Sequence, residues 1–424
     1  MRLVKRSPWL MGLGVLLAGL VTAPGARADV TSDESGTLLI YPKVVSDGVR
    51  DTLIQMSNRT NSFVMVHCFY INASGSCSST TTQSCEIDAD CPTGETCIRQ
   101  CNSTNFELAL TAQQPVQWRV STGRLTVIPS SPCRPGQPCQ CSVDNSGQLV
   151  CPGMLVGQNN SSFVPPVGTD FVGELKCYQI DSNGDPTPGN ALKGTATIET
   201  IATGQISEYN ALAVAANADT GNGLNNDREL RLNFNGSGAG ELNYCPASLV
   251  FTANAEGVTD AFSGATISTE LTLVPCSELL EENLPAPVRL RFVGYNEFEQ
   301  PLSIEAFSFD CFLNRRLADL PVTGGGLFVN GAQELWKIRI APRPVNVCYS
   351  GSNRGGQCTA DSECPGALTG PAGTILGCLP ASGVLGVAEE FHTLGNVGTA
   401  AFNLRHEGSR SGFGDIITLP ERNP

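Results

Sequence analysis

Histidine is nearly missing from this chain: 424 residues hold three, His67, His392 and His406. His67 adjoins Cys68, but neighbouring residues of a strand point to opposite faces, which excludes a cysteine–histidine nucleophile pair there. There is no G-x-S-x-G elbow, no H-E-x-x-H helix and no phosphate-cradling glycine loop. The acidic pairs Glu281-Glu282 and Glu389-Glu390 cannot serve as the two carboxylates of one cleft, because adjacent strand residues face apart. Cations are few and dispersed, 26 Lys and Arg against 40 Asp and Glu, so a nucleic-acid partner is excluded. Past the first two dozen residues no apolar run is long enough to cross a bilayer as a helix. These absences predict a protein that is not an enzyme and has no cofactor.

What the chain does have is a leader and cysteine. Arg2, Lys5 and Arg6, the apolar run Leu10 to Thr22, and Ala26-Arg27-Ala28 follow the order of a secretory signal peptide over residues 1–28. Its removal takes away four basic residues (Arg2, Lys5, Arg6, Arg27) and no acidic one, moving the net charge from −14 to −18. The eighteen cysteines all lie beyond it. In an exported chain that number reads as disulfides. The expected location is secreted or otherwise extracytoplasmic: periplasm, outer surface or extracellular.

Short alternating apolar segments separated by Gly, Pro, Asn and Ser turns, with hardly any helical periodicity, predict an all-β chain of antiparallel sandwiches. An immunoglobulin-like arrangement is expected, with a jelly roll as the alternative. The order of segments repeats. Thr37 to Val44 matches Glu270 to Cys276, each with a proline near its end; Asp51 to Asn72 matches Val288 to Asn314, aligning Cys68-Phe69 with Cys311-Phe312. Pro115 to Ser121 matches Glu334 to Ile340 and puts the only two tryptophans beyond the leader, Trp118 and Trp336, at equivalent places. Asp170 to Ile180 and Gly194 to Ile198 then match Gly383 to Phe391 and Gly398 to Phe402. The domains expected are therefore two tandem sandwiches. Residues 29–265 form the first, with cysteine-rich insertions at 77–101 and 133–151 and extra strands at 204–265; residues 266–424 form the second, with an insertion at 348–378.

The segment CEIDADCPTGETC, Cys85 to Cys97, is similar to short D-x-D-C-P-x-G-x-x-C modules of secreted, uncharacterised bacterial proteins and of small cysteine-rich extracellular domains. The resemblance covers residues 77–101 and, more loosely, 358–378, where the acidic-x-x-Cys-Pro core is kept and the last interval is longer. It implies a compact, disulfide-stapled loop. An interleaved pairing gives Cys77–Cys91 and Cys85–Cys97, leaving Cys101 for Cys68; the same pattern gives Cys348–Cys364 and Cys358–Cys378. Cys133, Cys139, Cys141 and Cys151 close on themselves. Cys177–Cys245 and Cys276–Cys311 complete a set that respects the domains, with Cys245–Cys276 as the rival that staples the linker.

No metal is expected. Cys133, Cys139, Cys141 and Cys151 lack the paired knuckles of structural zinc sites. The oxygen-rich runs Asp181 to Asp185 and Asp219 to Asp227 do not complete a calcium loop, and tight turns account for their composition. Loops on rigid β scaffolds carry binding. The expected function is thus structural or adhesive, toward a protein or glycan at a cell surface, with contacts in Glu86 to Arg99 and Asn353 to Leu376. Inhibition of a protease by a stapled loop is the alternative.

Overall fold

The computed structural model describes residues 30–81, 83–85, 91–99, 101–124, 142–143, 149–150, 163–216, 228–232, 241–243, 245–280, 283–284, 286–320, 335–369, 377–410 and 415–420. The expected signal peptide, Cys133, Cys139, Cys141, Cys151, Glu281-Glu282 and the run Asp219 to Asp227 lie outside these residues. The described residues form strands, short 3-10 turns and no α-helix. No helix among them is long and apolar enough to cross a membrane.

The first half contributes β1 (Leu38–Ser46), β2 (Arg50–Asn58), β3 (Val64–Asn72), β4 (Asn102–Leu110), β5 (Pro115–Arg119), β6 (Phe171–Ile180), β7 (Leu192–Thr200), β8 (Gln205–Asn210) and β9 (Leu212–Val214). β1 and β2 share one register pair, Ser46 with Asp51, so the ladder divides at that hairpin into two layers. One runs β8-β7-β2-β5 and the other β9-β1-β6-β3-β4. Ile54, Trp118 and Ile198 from the first meet Leu39, Tyr41, Val66 and Tyr70 from the second in one core, the packing of a β-sandwich. Trp118 stands edge-on to Phe106 and donates from Nε1 to the Tyr70 hydroxyl at 2.5 Å. Gly194 has no side chain because the Tyr41 hydroxyl, which donates to Gln55 O, occupies the space a Cβ would need.

β1 and β6 are central strands buried along almost their whole length. Strands covered on both faces read as unbroken apolar runs. These two instead carry Lys43, Glu174 and Lys176, whose charges need partners. Pro42 sits in β1 at a bulge, where Tyr41 pairs with Leu175 and Val44 with Gly173, leaving Pro42 and Lys43 opposite Glu174 alone. The backbone of Lys43, released from the ladder, is satisfied by one group: the Tyr209 hydroxyl accepts from Lys43 N–H (3.0 Å) and donates to Lys43 C=O (2.5 Å).

The second half contributes β10 (Pro246–Asn254), β11 (Thr266–Pro275), β12 (Pro287–Asn296), β13 (Pro301–Asp310), β14 (Leu313–Arg316), β15 (Leu335–Pro342), β16 (Val384–Leu394), β17 (Asn396–Asn403) and β18 (Arg405–Ser409). Its layers run β14-β11-β16-β17 and β13-β12-β15-β10-β18 around a core that includes Leu249, Leu271, Phe292, Trp336 and Ile338. β10, which chain order groups with residues 29–265, pairs with β15 and β18 and so is part of this second body.

The halves agree in two pairings, β1 with β6 as β11 with β16, and β2 with β5 as β12 with β15. They differ at the strand after: β3 joins β6 and β4, whereas β13 folds back on β12. The two tryptophans are both buried on the aligned strand, but Trp118 pairs with Ile54 and Trp336 with Asn296, at the end of β12. Cys68 lies within β3, while Cys311 takes a left-handed turn (φ 62°) between β13 and β14.

A third core welds the halves together. Leu38, Ile40, Phe69, Ile71 and Tyr178, on the outer face of the β1-β6-β3 layer, pack against Val274, Leu280, Phe312, Leu385 and Ile417. The strand Ile416–Thr418 enters this core parallel to Glu278–Leu279 and antiparallel to Glu229–Arg231. Side chains join the edge strands β8 and β17: Asn210 N–H donates to Asn403 Oδ1 (3.1 Å), Asn403 Nδ2 to Asn210 O (2.6 Å) and Thr399 Oγ1 to Ile206 O (3.2 Å).

Seven disulfides occur among the described residues, a usage typical of proteins in oxidising compartments. Four fall on the interleaved pairs within the cysteine-rich insertions. The other three correct the expected connectivity. Cys68 bonds Cys177 and not Cys101, because β3 and β6 place the two cysteines directly opposite each other. Cys101 is thereby left for Cys311, across the two halves and 210 residues away, and Cys276 for Cys245, the linker-stapling rival.

Candidate interaction surfaces

The two described cysteine-rich insertions are built on one plan. Gly75–Cys77 is the middle of three strands, with Gly75 opposite Cys85 and Cys77 opposite Cys97. Asn346–Cys348 is likewise in the middle, with Asn346 opposite Cys358 and Cys348 opposite Cys378. In each, the first cysteine bonds the third and the second bonds the fourth: Cys77–Cys91 with Cys85–Cys97, and Cys348–Cys364 with Cys358–Cys378. Sulfurs of Cys77, Cys85 and Cys91 lie within 4.8 Å of one another, but all three are bridged and none is a free thiolate for a metal.

Acidic side chains at the surface of these modules brace their turns. Glu95 accepts from Thr80 N–H (2.8 Å), Thr80 Oγ1 (2.8 Å) and Ser79 N–H (3.0 Å), and the bonds from Thr80 hold its carboxyl below the ordinary value. Glu363 accepts from Thr359 Oγ1 (2.7 Å) and N–H (3.1 Å), and Asp361 from Cys378 N–H (2.7 Å). Of the contact segments expected from the sequence, Glu86 to Asp90 and residues 370–376 lie outside the described residues. The remainder presents Ile98 and Leu368 to solvent. Replacing Cys85 and Cys97 by serine should cost the first module about 3 kcal/mol of constraint. The expected result is faster proteolytic cleavage between Ser84 and Arg99 with an unchanged melting temperature for the body.

A second surface was not legible in the sequence. Exposed apolar side chains gather at one end of the joined sandwiches. Val49 and Ile201 tip two hairpins held together by Ile201 N–H donating to Val49 O (2.9 Å), and Ile206 lies just beyond. The Ile206 contact with Thr399 puts the neighbouring turn, carrying Leu394, at the same end. Phe262 follows, since Thr266 pairs with Thr393. Elsewhere, Gln55, Ser57, Gln117, Lys193 and Thr195 line an open groove of about 500 Å³ on the outer face of β7, β2 and β5.

Two buried ionic sets lie between the halves. Lys43 Nζ meets Glu389 Oε2 at 2.7 Å and also contacts Glu270 Oε1. Glu389 accepts from Ser207 Oγ (2.6 Å), and Arg50 lies 3.6 Å from Glu270. Burial pushes the Glu270 carboxyl up, but Lys43 and Arg50 outweigh it and hold the group at about 2. In the second set, Lys176 Nζ lies 2.8 Å from Glu174 Oε1 and 3.0 Å from Glu278 Oε1, with side-chain exposures of 2%, 1% and 2%. Burial drives the Glu174 carboxyl well above its usual range against the pull of Lys176, and the neighbouring Glu278 adds to the rise. Burial lowers Lys176, but the two glutamates outweigh it and raise the amine. The only sequence signal for these sets was a lysine or glutamate inside an otherwise apolar strand.

The remaining candidates resolve into local structure. His67 stacks on Phe69 (4.5 Å between centroids) and its Nδ1 lies 3.3 Å from the Tyr178 hydroxyl, while Cys68 turns to the opposite face and its bridge. Asp181 Oδ1 accepts from Asn183 N–H (2.8 Å) and Asp185 N–H (3.1 Å), and Gly184 has φ 86°, so this acidic run is a tight turn. Glu389 faces Lys43, whereas Glu390 faces His392 (2.8 Å) and Asn254 (3.1 Å) on the other side of β16.

No protein-family profile matches the chain, and no curated protein matches it.

Proposed function

We propose that the protein is a non-catalytic, extracytoplasmic binding or adhesive protein, in which two welded, immunoglobulin-like sandwiches hold a pair of disulfide modules for contact with a protein or glycan at a cell surface. The shared register of the two modules carries this reading. One stapled frame is used twice, and the interval between its third and fourth cysteines, Cys91 to Cys97 and Cys364 to Cys378, changes while the frame does not. A fixed frame with a variable loop is how rigid scaffolds present recognition residues.

The test replaces residues 75–99 and 350–377 by Gly-Ser links, with Cys348→Ser and Cys378→Ser. Cys101 and Tyr349 are kept, so the bridge to Cys311 and the packing of Tyr349 with Leu279 and Ala286 survive. The altered chain is expected to unfold cooperatively like the parent and to lose binding to cell-envelope fractions and glycan arrays. Binding equal to that of the parent would defeat the proposal.

A further inference from the structure

We infer that Lys176 and Glu278 condense into an intramolecular amide, a covalent strut between the two halves, with Glu174 as the proton-transferring acid. The three side chains are sealed from solvent, and Lys176 Nζ lies within hydrogen-bond distance of both carboxylates. Lys176 and Glu174 project from β6 in the first half, Glu278 from the short strand after β11 in the second. Lys176 pairs across the sheet with Phe69 of the welding core, and Leu280 of the same core lies two positions beyond Glu278.

An ammonium and two carboxylates sealed together carry one surplus negative charge, which burial resists. One proton taken up by a carboxyl removes that surplus, and burial, with Glu278 close by, drives Glu174 toward the neutral form. The set then holds every component of an amide condensation. The Lys176 ammonium passes one proton to the Glu278 carboxylate 3.0 Å away. The free amine attacks Glu278 Cδ, forming the C–N bond, while the Glu174 acid donates toward the developing oxyanion. The amine nitrogen sheds a second proton through Glu174, the Cδ–OH bond breaks, and one water leaves. Glu174 ends with the proton it began with, and no oxidant or other reactant is needed. Loss of water from a dry, apolar pocket favours the amide.

The Lys43 set is not equivalent. There Arg50 joins Lys43 against Glu270 and Glu389, so the charges balance and no carboxyl is drawn to take up the proton that Glu174 carries in the other set. The strut is therefore assigned to Lys176 alone.

The experiment is an intact-mass measurement on the purified full chain, reduced and denatured, against the mass calculated from its observed first residue. A deficit of one water molecule is expected, with a branched proteolytic peptide joining Lys176 to Glu278. Lys176→Met and Glu174→Gln should each restore the full mass, the second while the chain stays folded by circular dichroism. A wild-type chain at full mass overturns the inference, and so does a deficit that maps to Lys43 or persists in Lys176→Met.

Discussion

Acidification from pH ~5 to pH ~2 is expected to remove about 3 kcal/mol of stability through Glu270 alone. Its folded value, about 2, lies below the ordinary 4.5, so the fold favours the carboxylate. The contribution is complete above the unfolded value and is lost as pH falls toward the folded one. Glu174 works in the opposite sense: its raised value means the fold holds a proton that the unfolded chain releases, so its stabilisation fades as pH rises past 4.5. The two are separated by substitution. Glu270→Gln should flatten the acid limb of a plot of urea midpoint against pH, and an unchanged limb would show that Glu270 is not held by Lys43 and Arg50. Lys43→Met should cost about 3–5 kcal/mol at neutral pH, because Glu389 is left buried without its cation and Glu270 keeps only Arg50. Adding Glu270→Gln and Glu389→Gln to Lys43→Met should recover most of that loss.

Replacing Cys101 and Cys311 by serine is expected to cost up to about 5 kcal/mol, the scale of constraint for so long a loop. The bridge closes 210 residues and spans the two halves, unlike the module bridges, whose loops are 12 to 20 residues. Hydrogen exchange should quicken around Phe69, Phe312 and Leu385 in the shared core before it quickens around Ile54 or Phe292. A loss below about 1 kcal/mol would mean that the other links between the halves hold them without the bridge.

Strand content was readable because the segments alternate, as in β3, where Val64, Val66, Cys68 and Tyr70 face one core and Phe69 and Ile71 another. The module bridges were readable because their cysteines are close in sequence and interleave. What chain order did not convey was which strands become neighbours. β3 pairs with β6 across more than a hundred residues, and that pairing reassigned Cys68, then Cys101, then Cys276. Pro42, near the end of its apolar segment, marks a bulge inside a central strand. The buried lysines were unreadable for a related reason: a strand sealed on both faces looks half-exposed in sequence when its charges are neutralised by residues from another part of the chain.

The welding core draws on Val30 at one extreme and on Ile417 and Leu419 at the other. Val30 pairs with Val214, and its carbonyl lies 2.9 Å from His406 Nδ1. A polypeptide made in order can fill the inner core of its first layered body but cannot cover that body's outer face until the second half is made. Until Val274, Leu280, Phe312 and Leu385 of the second half arrive, much of the outer face of β1, β6 and β3 stays bare, a greasy slab open to any passing chain. This core closes late, so a truncation of only a few residues at Ile417 should be felt some four hundred positions upstream, at Val30.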